Sequence, residues 1–560
     1  MSTIQKISGA RFIAETFKGY GVTHVFFVEA ILRKALIEME TLGIKRVLTH
    51  SEKAAAYMAD GYAKITHKPG VCMAQSVGAA NLASGLQDPY LGLSPVIALT
   101  GRKPPLAQYR HAYQEIAHAP LFEPVTKYNV SVDTVEQLPY LLRQAFREAT
   151  SGSPGPVHLD VMGNLGEVTA SSEAKLEVII EEQFTQYPSC RPEPDPELVR
   201  KAAKVLERAE RPVIVAGGGA QASSAGHEIV ELAEMLSIPV ATSLNGKGII
   251  LENHPLSMGI VGSYSRWCAN QIVSEADLVL FIGSHTGEQV TNGWKVPPQG
   301  TPVIQIDIDP LELGRNYPNT VGLMGDAQVT IRQLRENLNS KAKKSSWAQH
   351  AQEVVRKWRN ELEPLYNSEA IPIRPEKLCK ELTENLPPDA VLVSDTGFAG
   401  IWTGTMVYLT HPGQSYIRCA GSLGWGFPGS LGVKCGVPDR PVICFTGDGG
   451  FWYHLSELET ARRCNIKTVT VVNNNSCLRQ CWDGIEAAYG DRPGNRDELR
   501  RFRDVNFAKI AEDIGCLGIR VQQPEEIAEA LKTALKAEVP CVVDVITDVR
   551  IGAPWPPPSR

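Results

Sequence analysis

The sequence contains no apolar run close to the roughly 18 residues that a membrane-spanning helix needs, and no densely basic stretch. Its first residues, MSTIQKISGARFIAETF, lack the apolar core of a secretory signal and have the pattern of an amphipathic helix. The twelve cysteines include no CxxC pair, so we interpret them as buried thiols of a reducing compartment rather than as disulfides or a zinc site. With a net charge of −6, these absences argue against membrane and nucleic-acid partners and favour a cytoplasmic enzyme with a small-molecule substrate.

The 560 residues are enough for three or four domains. Short apolar runs alternate with helical patterns, which is typical of parallel sheets covered by helices on both faces. We therefore predict three doubly wound α/β domains, at residues 1–170, 190–340 and 370–560. A proline-rich connector separates the first two, a charged helical segment at Lys341–Glu363 precedes the third, and the first and third domains look like one architecture used twice.

Each predicted strand is an apolar run bounded by Gly, Pro, Asn or Asp. In the first domain these runs are Val22–Phe27, Arg46–Thr49, Gly70–Gln75, Pro95–Leu99, Asn129–Val132 and Val157–Val161. In the central domain they are Pro212–Val215, Leu278–Gly283 and Val303–Asp309. In the third domain they are Val391–Ser394, Tyr416–Arg418, Val442–Thr446, Thr468–Val472, Gly518–Val521 and Cys541–Ile546. The first helix is marked by Ser8 as its N-cap and by Gly21 just beyond its end.

One segment, PVICFTGDGGFWYHLSELETARRCNIKTVTVVNNN, places polar residues after two successive strands. Asp448 follows the first strand, and Asn475 closes the asparagine run after the second, 27 positions later. Because a strand–helix–strand unit of this length brings both ends to one edge of a parallel sheet, we expect the two side chains to lie together. Carboxylate and amide oxygens suit Mg²⁺, and the glycines Gly447, Gly449 and Gly450 let backbone N–H groups approach a diphosphate. The alternative is a glycine-rich turn followed by an ordinary asparagine turn.

This pattern resembles the signature of thiamine-diphosphate (ThDP) enzymes, in the branch of acetohydroxyacid synthase, benzoylformate decarboxylase and oxalyl-CoA decarboxylase. The resemblance spans nearly the whole chain and implies pyrimidine-binding, central and diphosphate-binding domains in that order. It implies that Mg²⁺ is held by Asp448, Asn475 and the Cys477 carbonyl, with Leu478 also at the cofactor.

A second motif, RVLTHSEKAAAYMADGYAK, places Glu52 at the start of an alanine-rich helix. A glutamate in a first turn ordinarily complements the helix dipole. Here the segment resembles the family's glutamate motif, whose carboxyl group hydrogen-bonds the aminopyrimidine N1′ and drives deprotonation of the thiazolium C2. The resemblance also implies that Glu52 of one chain meets Asp448 of another, so we expect a homodimer at minimum and a homotetramer as the full assembly.

A third motif, GSLGWGFPGSLG, resembles the segment that props the cofactor into its bent shape. Leu423 stands where the family has a bulky residue, and Ser422 separates it from Gly421, whose carbonyl would face the aminopyrimidine. The segment DTGFA matches the loop that touches the diphosphate, through Gly397, Phe398 and Ala399. Taken alone, these residues also fit core strand–helix turns.

Two loops depart from the family pattern. The loop after the first strand reads Val28-Glu29-Ala30 in place of a Pro-Gly-containing segment over the reactive carbon, and the second reads Ser76-Val77-Gly78. We expect Val28 to line the substrate site. For Glu29, two interpretations stay open: a substrate-side acid or base, or an exposed loop glutamate.

In RHAYQEIAH, Gln114 matches a glutamine that lines the active site of acetohydroxyacid synthases, and Tyr113 is a further substrate candidate. His111 and His118 lie nearby, although a lone histidine is more often structural. The segment after Asn475 resembles the family's mobile lid, and Trp482 falls at a substrate-contacting tryptophan.

The central domain carries AGGGAQASSAG after one strand and DIDP after another, resembling the family's nucleotide-holding fold. It could hold FAD, hold ADP or be empty. Acetohydroxyacid synthases have an arginine-bearing segment where this chain has residues 283–288, GSHTGE, which weakens the expectation of a flavin.

The resemblance implies a ThDP- and Mg²⁺-dependent enzyme that cleaves or forms a C–C bond next to the carbonyl of a 2-oxo acid, as acetolactate-synthase-like carboligases and decarboxylases do. One alternative keeps ThDP and takes a 2-hydroxyacyl-CoA or oxalyl-CoA as substrate. A second is a catalytically inactive homologue that serves as a binding subunit. A nicotinamide dehydrogenase fits less well, because no GxGxxG pattern is followed by an acidic residue.

Overall fold

The computed structural model of the protein describes residues 6–338 and 345–554, which form three six-stranded parallel sheets covered by helices. This confirms the predicted α/β class with three doubly wound units. Residues 341–344 of the predicted helix Lys341–Glu363 lie outside the described residues. Within the described ranges, no helix combines the length and apolar character that crossing a membrane requires.

Six strands of the first unit follow the predicted apolar runs closely, and two short strands at its ends, which pair antiparallel with each other, were not predicted. Its strands are β1 (Lys6–Ser8), β2 (His24–Phe27), β3 (Lys45–Leu48), β4 (Gly70–Ala74), β5 (Val96–Arg102), β6 (Tyr128–Val132), β7 (Val157–Met162) and β8 (Glu173–Lys175). Its helices are α1 (Gly9–Gly19), α2 (Arg33–Thr41), α3 (Glu52–Thr66), α4 (Gly78–Leu91), α5 (Ala119–Phe122), α6 (Leu138–Thr150) and α7 (Glu167–Ser171). Ser8 caps α1 by accepting a hydrogen bond from Arg11 N at 3.2 Å, as predicted.

The central unit contains strands that the sequence did not reveal. Its strands are β9 (Pro212–Ala216), β10 (Val240–Thr242), β11 (Ser257–Ile260), β12 (Leu278–Ile282), β13 (Val303–Asp307) and β14 (Val321–Met324). Its helices are α8 (Pro196–Arg208), α9 (Gly218–Ala222), α10 (Gly226–Leu236), α11 (Trp267–Glu275) and α12 (Ala327–Glu336), and α13 (Ser345–Tyr366) leads to the third unit. The predictions missed β10, β11 and β14, since each is only three or four residues long.

The third unit matches its predicted strands within one or two residues. Its strands are β15 (Val391–Ser394), β16 (Ser415–Arg418), β17 (Val442–Gly447), β18 (Val469–Asn474), β19 (Leu517–Val521) and β20 (Cys541–Ile546). Its helices are α14 (Pro375–Asn385), α15 (Phe398–Met406), α16 (Gly426–Gly436), α17 (Asp448–Trp452), α18 (Glu457–Arg463), α19 (Trp482–Tyr489), α20 (Phe507–Asp513) and α21 (Ile527–Leu535).

The first and third sheets share one topology. Their orders are β3-β2-β4-β5-β7-β6 and β16-β15-β17-β18-β20-β19, so each reads 2-1-3-4-6-5 when its own strands are numbered along the chain. The central order, β11-β10-β9-β12-β13-β14, reads 3-2-1-4-5-6, the order typical of dinucleotide-binding sheets. Ligands bind such sheets at the carboxyl edge where the strand order reverses. In each of the three sheets, the two turns at this point are therefore candidates for a ligand site.

The first and third units pack directly on one another through α3 and α16. Glycines make the approach possible, because a Cβ at Gly61 or Gly432 would collide with the backbone of the other helix. A shared apolar cluster surrounds the crossing and includes Met58 and Leu431. This packing fixes the carboxyl edges of the two sheets relative to each other.

Candidate active site

The order of the third sheet reverses between β15 and β17, and Asp395 ties the turns at this point together. Its buried carboxylate accepts hydrogen bonds from Thr396 N at 2.7 Å, Gly424 N at 3.1 Å, Gly426 N at 3.2 Å and Thr446 Oγ1 at 3.2 Å. Burial raises the pKa of Asp395 to about 6 despite these donors. The residue therefore joins the turn after β15, the loop before α16 and the end of β17 into one cradle.

Asp448 begins α17 directly after β17 and is 2% exposed. Its Oδ2 accepts a hydrogen bond from Cys477 N at 3.0 Å, which draws the loop after β18 against the turn after β17. Burial raises the pKa of Asp448 to about 7, although backbone N–H groups of Gly449, Cys477 and Asn475 oppose the shift. A buried carboxyl group in this state is a natural ligand for a cation, which would restore its full negative charge.

The three asparagines after β18 are not equivalent. Asn473 Oδ1 accepts a hydrogen bond from Thr547 Oγ1 at 2.5 Å, and Asn474 Nδ2 donates to Asp544 Oδ1 at 2.8 Å. Both side chains therefore stabilise the sheet and its flanking segments. Asn475 Oδ1 is buried and has no hydrogen-bond partner. Because an orphaned buried amide oxygen is costly, its presence beside Asp448 fits a metal ligand contributed by the chain. This supports the assignment of Asn475 made from the sequence.

The turns around Asp448 leave room for a bulky anion. A Cβ at Gly447 or Gly421 would meet no atom within 4 Å, so both backbones face open space. Gly397 has a φ of +67°, which suits glycine, and leads into α15 at Phe398 and Ala399. The Cys477 carbonyl already accepts from Arg479 N at 2.9 Å and keeps a second lone pair for another partner. These features fit a diphosphate and its cation.

A buried carboxylate from the first unit, which the sequence analysis missed, holds the loop Ala420–Ser422. Asp88, on α4, accepts from Ala420 N at 2.8 Å, Gly421 N at 3.2 Å and Ser422 N at 3.0 Å. Lys64 Nζ lies 3.6 Å from Asp88 and 2.7 Å from Asp60, which in turn accepts from Trp425 Nε1 at 2.9 Å. The only sequence signal for these contacts was a pair of ionisable residues, Asp60 and Lys64, spaced four positions apart in the largely apolar body of α3.

Glu52 occupies the first position of α3, at the carboxyl edge of the first sheet. Its carboxylate is half-buried, accepts from Asn81 Nδ2 at 3.2 Å, and lies so close to Gly78 that a Cβ there would collide with it. The preceding residue pair is anchored to the third unit, since His50 N donates to Glu457 Oε1 at 3.0 Å. In the described part of the single chain, no hydrogen bond or ion pair joins Glu52 to Asp448 or Asn475.

The central sheet reverses its order between β9 and β12, and a cavity of about 760 Å³ opens there between the three units. Its walls include the glycine turns after β9 and β12, the buried Asp307 at the end of β13, and Arg418 from β16. Arg418 donates to Gln289 Oε1 at 3.2 Å, but its Nε is buried without a partner. Burial raises the pKa of Asp307.

Comparison with known proteins explains this arrangement. Three family models match consecutive parts of the chain: the N-terminal thiamine pyrophosphate (TPP) binding domain at residues 7–121, the thiamine pyrophosphate enzyme central domain at 199–334, and the C-terminal TPP binding domain at 395–545. The chain belongs to the thiamine pyrophosphate enzyme family. It is therefore a ThDP-dependent enzyme.

Relatives in this family place the chain in the acetohydroxyacid synthase branch. Probable acetolactate synthase large subunits from Methanococcus aeolicus and Methanocaldococcus jannaschii are 34% and 33% identical to it. These matches cover 92% of this chain and 87% of the first relative, and 99% and 94% in the second case. A putative thiamine pyrophosphate-containing protein of Bacillus subtilis is 30% identical over 98% of this chain and 92% of its own length.

The loop after β2 has two residues in the left-handed region of backbone conformation. Ala30 and Leu32 have φ values of +85° and +46°, and Val28 is half-buried at the start of this loop. Glu29 is 53% exposed and forms an ion pair with Arg33 at 2.5 Å. The hydrogen bond from Arg33 lowers the pKa of Glu29. This geometry favours the interpretation of Glu29 as an exposed loop residue.

The remaining substrate candidates lie on the surface of the single chain. Tyr113 is 81% exposed, and Gln114 Nε2 donates to its hydroxyl at 3.3 Å. No hydrogen bond in the described residues joins this pair to Glu52 or Asp448. His111 is exposed, whereas His118 is buried in a network of hydrogen bonds described below.

The segment from Leu478 to Leu499 contains no buried residue; hydrogen bonds close its base, and Gln480 Nε2 also donates to the Tyr264 hydroxyl of the central unit at 3.1 Å. Leu478 N donates to Arg500 O and Phe502 N to Ser476 O, both at 2.8 Å. Within it, the Trp482 ring is half-buried beneath Arg500, whose guanidinium carbon lies 3.5 Å from the ring centroid. Few buried contacts and a narrow base are properties of a segment that opens locally.

Proposed function

We propose that the enzyme is an acetolactate-synthase-like carboligase, which decarboxylates one 2-oxo acid and joins the remaining fragment to a second carbonyl compound. The proposal rests on the family and on two relatives named as probable acetolactate synthase large subunits. Both match this chain over most of their length. The structural observation that carries it is the unpartnered Asn475 Oδ1 beside buried Asp448. An intact metal-and-diphosphate edge speaks against an inactive binding subunit.

We propose that Mg²⁺ is held by Asp448, Asn475 and the Cys477 carbonyl, and that it anchors the diphosphate of ThDP against the turns at Gly397 and Gly447. When bound, ThDP supplies a nucleophilic carbon and an electron sink next to the substrate carbonyl. Glu52 would share a proton with the aminopyrimidine N1′ and so would promote loss of the proton from the carbon acid. The lid from Leu478 to Leu499 closes over the site and excludes water.

The assay that tests this function follows pyruvate consumption, CO₂ release and formation of a 2-hydroxy-3-oxo acid, the condensation product, in the presence of ThDP and Mg²⁺. We expect turnover by the wild-type protein and none by Glu52→Gln. Cleavage of oxalyl-CoA or a 2-hydroxyacyl-CoA, with no turnover of 2-oxo acids, would replace the proposal by the acyl-CoA alternative. No turnover of any of these substrates, together with no ThDP binding, would favour an inactive homologue.

We propose that the central cavity binds a second ligand, a nucleotide. Its position at the order reversal of a 3-2-1-4-5-6 sheet is where such sheets bind dinucleotides. Asp307 is placed to bind ribose hydroxyls, and Arg418, with its free Nε, to bind a phosphate. FAD and ADP share this chemistry, and mass spectrometry of the released ligand distinguishes them; FAD would support the carboligase and ADP the acyl-CoA alternative.

We propose that a complete site is assembled from two chains, since no hydrogen bond or ion pair among the described residues of one chain joins Glu52 to Asp448. A mixing experiment tests this arrangement. Glu52→Gln and Asp448→Asn are each expected to be inactive, but their hybrids contain one site with both native residues. We expect mixing after brief dissociation to recover activity, and the assembly to be a dimer or tetramer by light scattering. An active monomer would contradict the proposal.

A further inference from the structure

The carboxylate of Glu52 takes its position from the turn that precedes α4. Gly78 packs directly against Glu52 Oε1, and Asn81, one turn later, donates to Glu52 Oε2 at 3.2 Å. Any shift of this turn therefore moves the carboxylate or removes its donor. The contacts that hold the turn from Ser76 to Gly78 in place therefore determine the orientation of the Glu52 side chain.

Ser76 is 1% exposed and is held at both its side chain and its main chain. Its hydroxyl donates to Gly101 O at 3.2 Å, and its carbonyl lies 2.9 Å from His118 Nε2. On the other side of the ring, His118 Nδ1 lies 2.8 Å from Asp160 Oδ1. A carbonyl oxygen can only accept, so His118 donates to Ser76 O through Nε2.

The surroundings of this pair make it rigid. Thr100 donates to Asp160 Oδ1 at 2.9 Å and also contacts His158 Nε2 at 2.6 Å. His158 stacks on Phe122 with ring centroids 3.6 Å apart. The other charged group that faces Asp160 is Arg102, 3.8 Å away. These residues lie on β5, β7 and α5, and the core of the first unit holds them in place.

We infer that His118 is a positioning residue for Glu52: oriented by Asp160, it holds the Ser76 carbonyl and so keeps the Ser76–Gly78 turn against the Glu52 carboxylate. The inference rests on the proposed role of Glu52 in proton transfer. His118 itself need not touch substrate or cofactor. The role of His118 could not be predicted from the sequence, because its partners Ser76 and Asp160 each lie 42 residues away along the chain.

Two substitutions separate the two hydrogen bonds of His118. The amide nitrogen of glutamine falls near the imidazole Nε2, so His118→Gln keeps the bond to Ser76 O. The amide nitrogen of asparagine falls near Nδ1, so His118→Asn keeps the bond to Asp160 and loses Ser76. His24→Asn is the matched control, because His24 is a buried histidine of the same unit that hydrogen-bonds Thr23 and not the turn.

The primary measurement is hydrogen–deuterium exchange of the peptide spanning residues 75–81 in the full-length, cofactor-free protein. For His118→Asn we expect exchange to accelerate roughly ten- to hundred-fold, since the loss of one buried hydrogen bond is of that order. His118→Gln and His24→Asn should exchange as the wild type does. In the loaded enzyme, kcat of His118→Asn should fall roughly ten- to hundred-fold while the KM for substrate changes less than about threefold, because the defect lies in proton transfer.

The inference is overturned if His118→Asn exchanges like the wild type, or if His118→Gln loosens the turn as much as His118→Asn does. Should His118→Asn not fold, Asp160→Asn takes its place, because it withdraws the charge that orients His118, and the same acceleration is expected. Retained turnover in Glu52→Gln would refute the proposed function alone, since the exchange measurement does not depend on catalysis.

Discussion

Replacing Asn475 by alanine should separate metal binding from folding. In the folded chain its Oδ1 is buried without a partner, a state that costs about 1–3 kcal/mol relative to a satisfied oxygen. Deleting the amide removes that cost and leaves a small void, so we expect the free energy of unfolding of the cofactor-free protein to change by less than about 1 kcal/mol. The same deletion removes one of three proposed Mg²⁺ ligands, and affinity for Mg²⁺ at saturating ThDP should fall at least about 100-fold.

Asn474→Ala is the matched control. Its side chain donates to Asp544 Oδ1 at 2.8 Å and to Val505 O at 3.2 Å, so its loss should destabilise the fold by about 1–3 kcal/mol. Urea unfolding followed by circular dichroism gives the stabilities, and calorimetric titration gives the Mg²⁺ affinities. The reasoning is refuted if Asn475→Ala destabilises the protein as much as Asn474→Ala while Mg²⁺ affinity stays unchanged.

Further substitutions test other parts of the structure. Glu52→Gln should lower kcat by about 100- to 10,000-fold, whereas Glu29→Gln should leave it within twofold, because Glu29 is exposed and paired with Arg33. Asp88→Ala removes three backbone hydrogen bonds to the loop after β16 and should cost about 3–5 kcal/mol of stability in urea unfolding, with weaker ThDP binding. His454→Leu should remove an acid-induced loss of stability of about 2 kcal/mol between pH 7 and pH 5.

The sign of the last effect follows from burial. Burial lowers the pKa of His454 to about 4, below the value of about 6.5 in the unfolded chain. The unfolded chain therefore binds the proton first, and stability falls as the pH drops from about 6.5 towards 4. A wild-type stability that is flat across this window, or equal slopes in wild type and His454→Leu, would contradict this account. Equal turnover of the Glu52 and Glu29 variants would contradict their assigned roles.

Much of the fold was visible in the sequence because the strands of parallel sheets are continuous apolar runs. The runs at Val391–Ser394 and Cys541–Ile546 were predicted with their observed bounds. The side-by-side placement of Asp448 and Asn475 followed from strand spacing alone. The strands β10, β11 and β14 were not predicted because glycine, serine or threonine leaves each with only two or three apolar residues, too few to be distinguished from a loop.

What the sequence could not provide is the contact between distant segments. Asp88 binds backbone groups more than 330 positions away, and no local pattern encodes which loop a buried carboxylate will hold. The same limit applies to His118, whose partners Ser76, after β4, and Asp160, on β7, each lie 42 positions away. For the three asparagines, a resemblance selected Asn475 as the proposed metal ligand, and the hydrogen bonds of Asn473 and Asn474 give a physical reason to prefer it.

The most direct test of the central claim is mass spectrometry of the small molecules released from the purified, denatured protein, with metal analysis of the same sample. We predict ThDP and Mg²⁺ at about one per chain, either as purified or after incubation with both, and loss of both in Asn475→Ala. If wild-type protein retains no ThDP after incubation with ThDP and Mg²⁺, the assignment of the Asp448–Asn475 edge as a working cofactor site is contradicted.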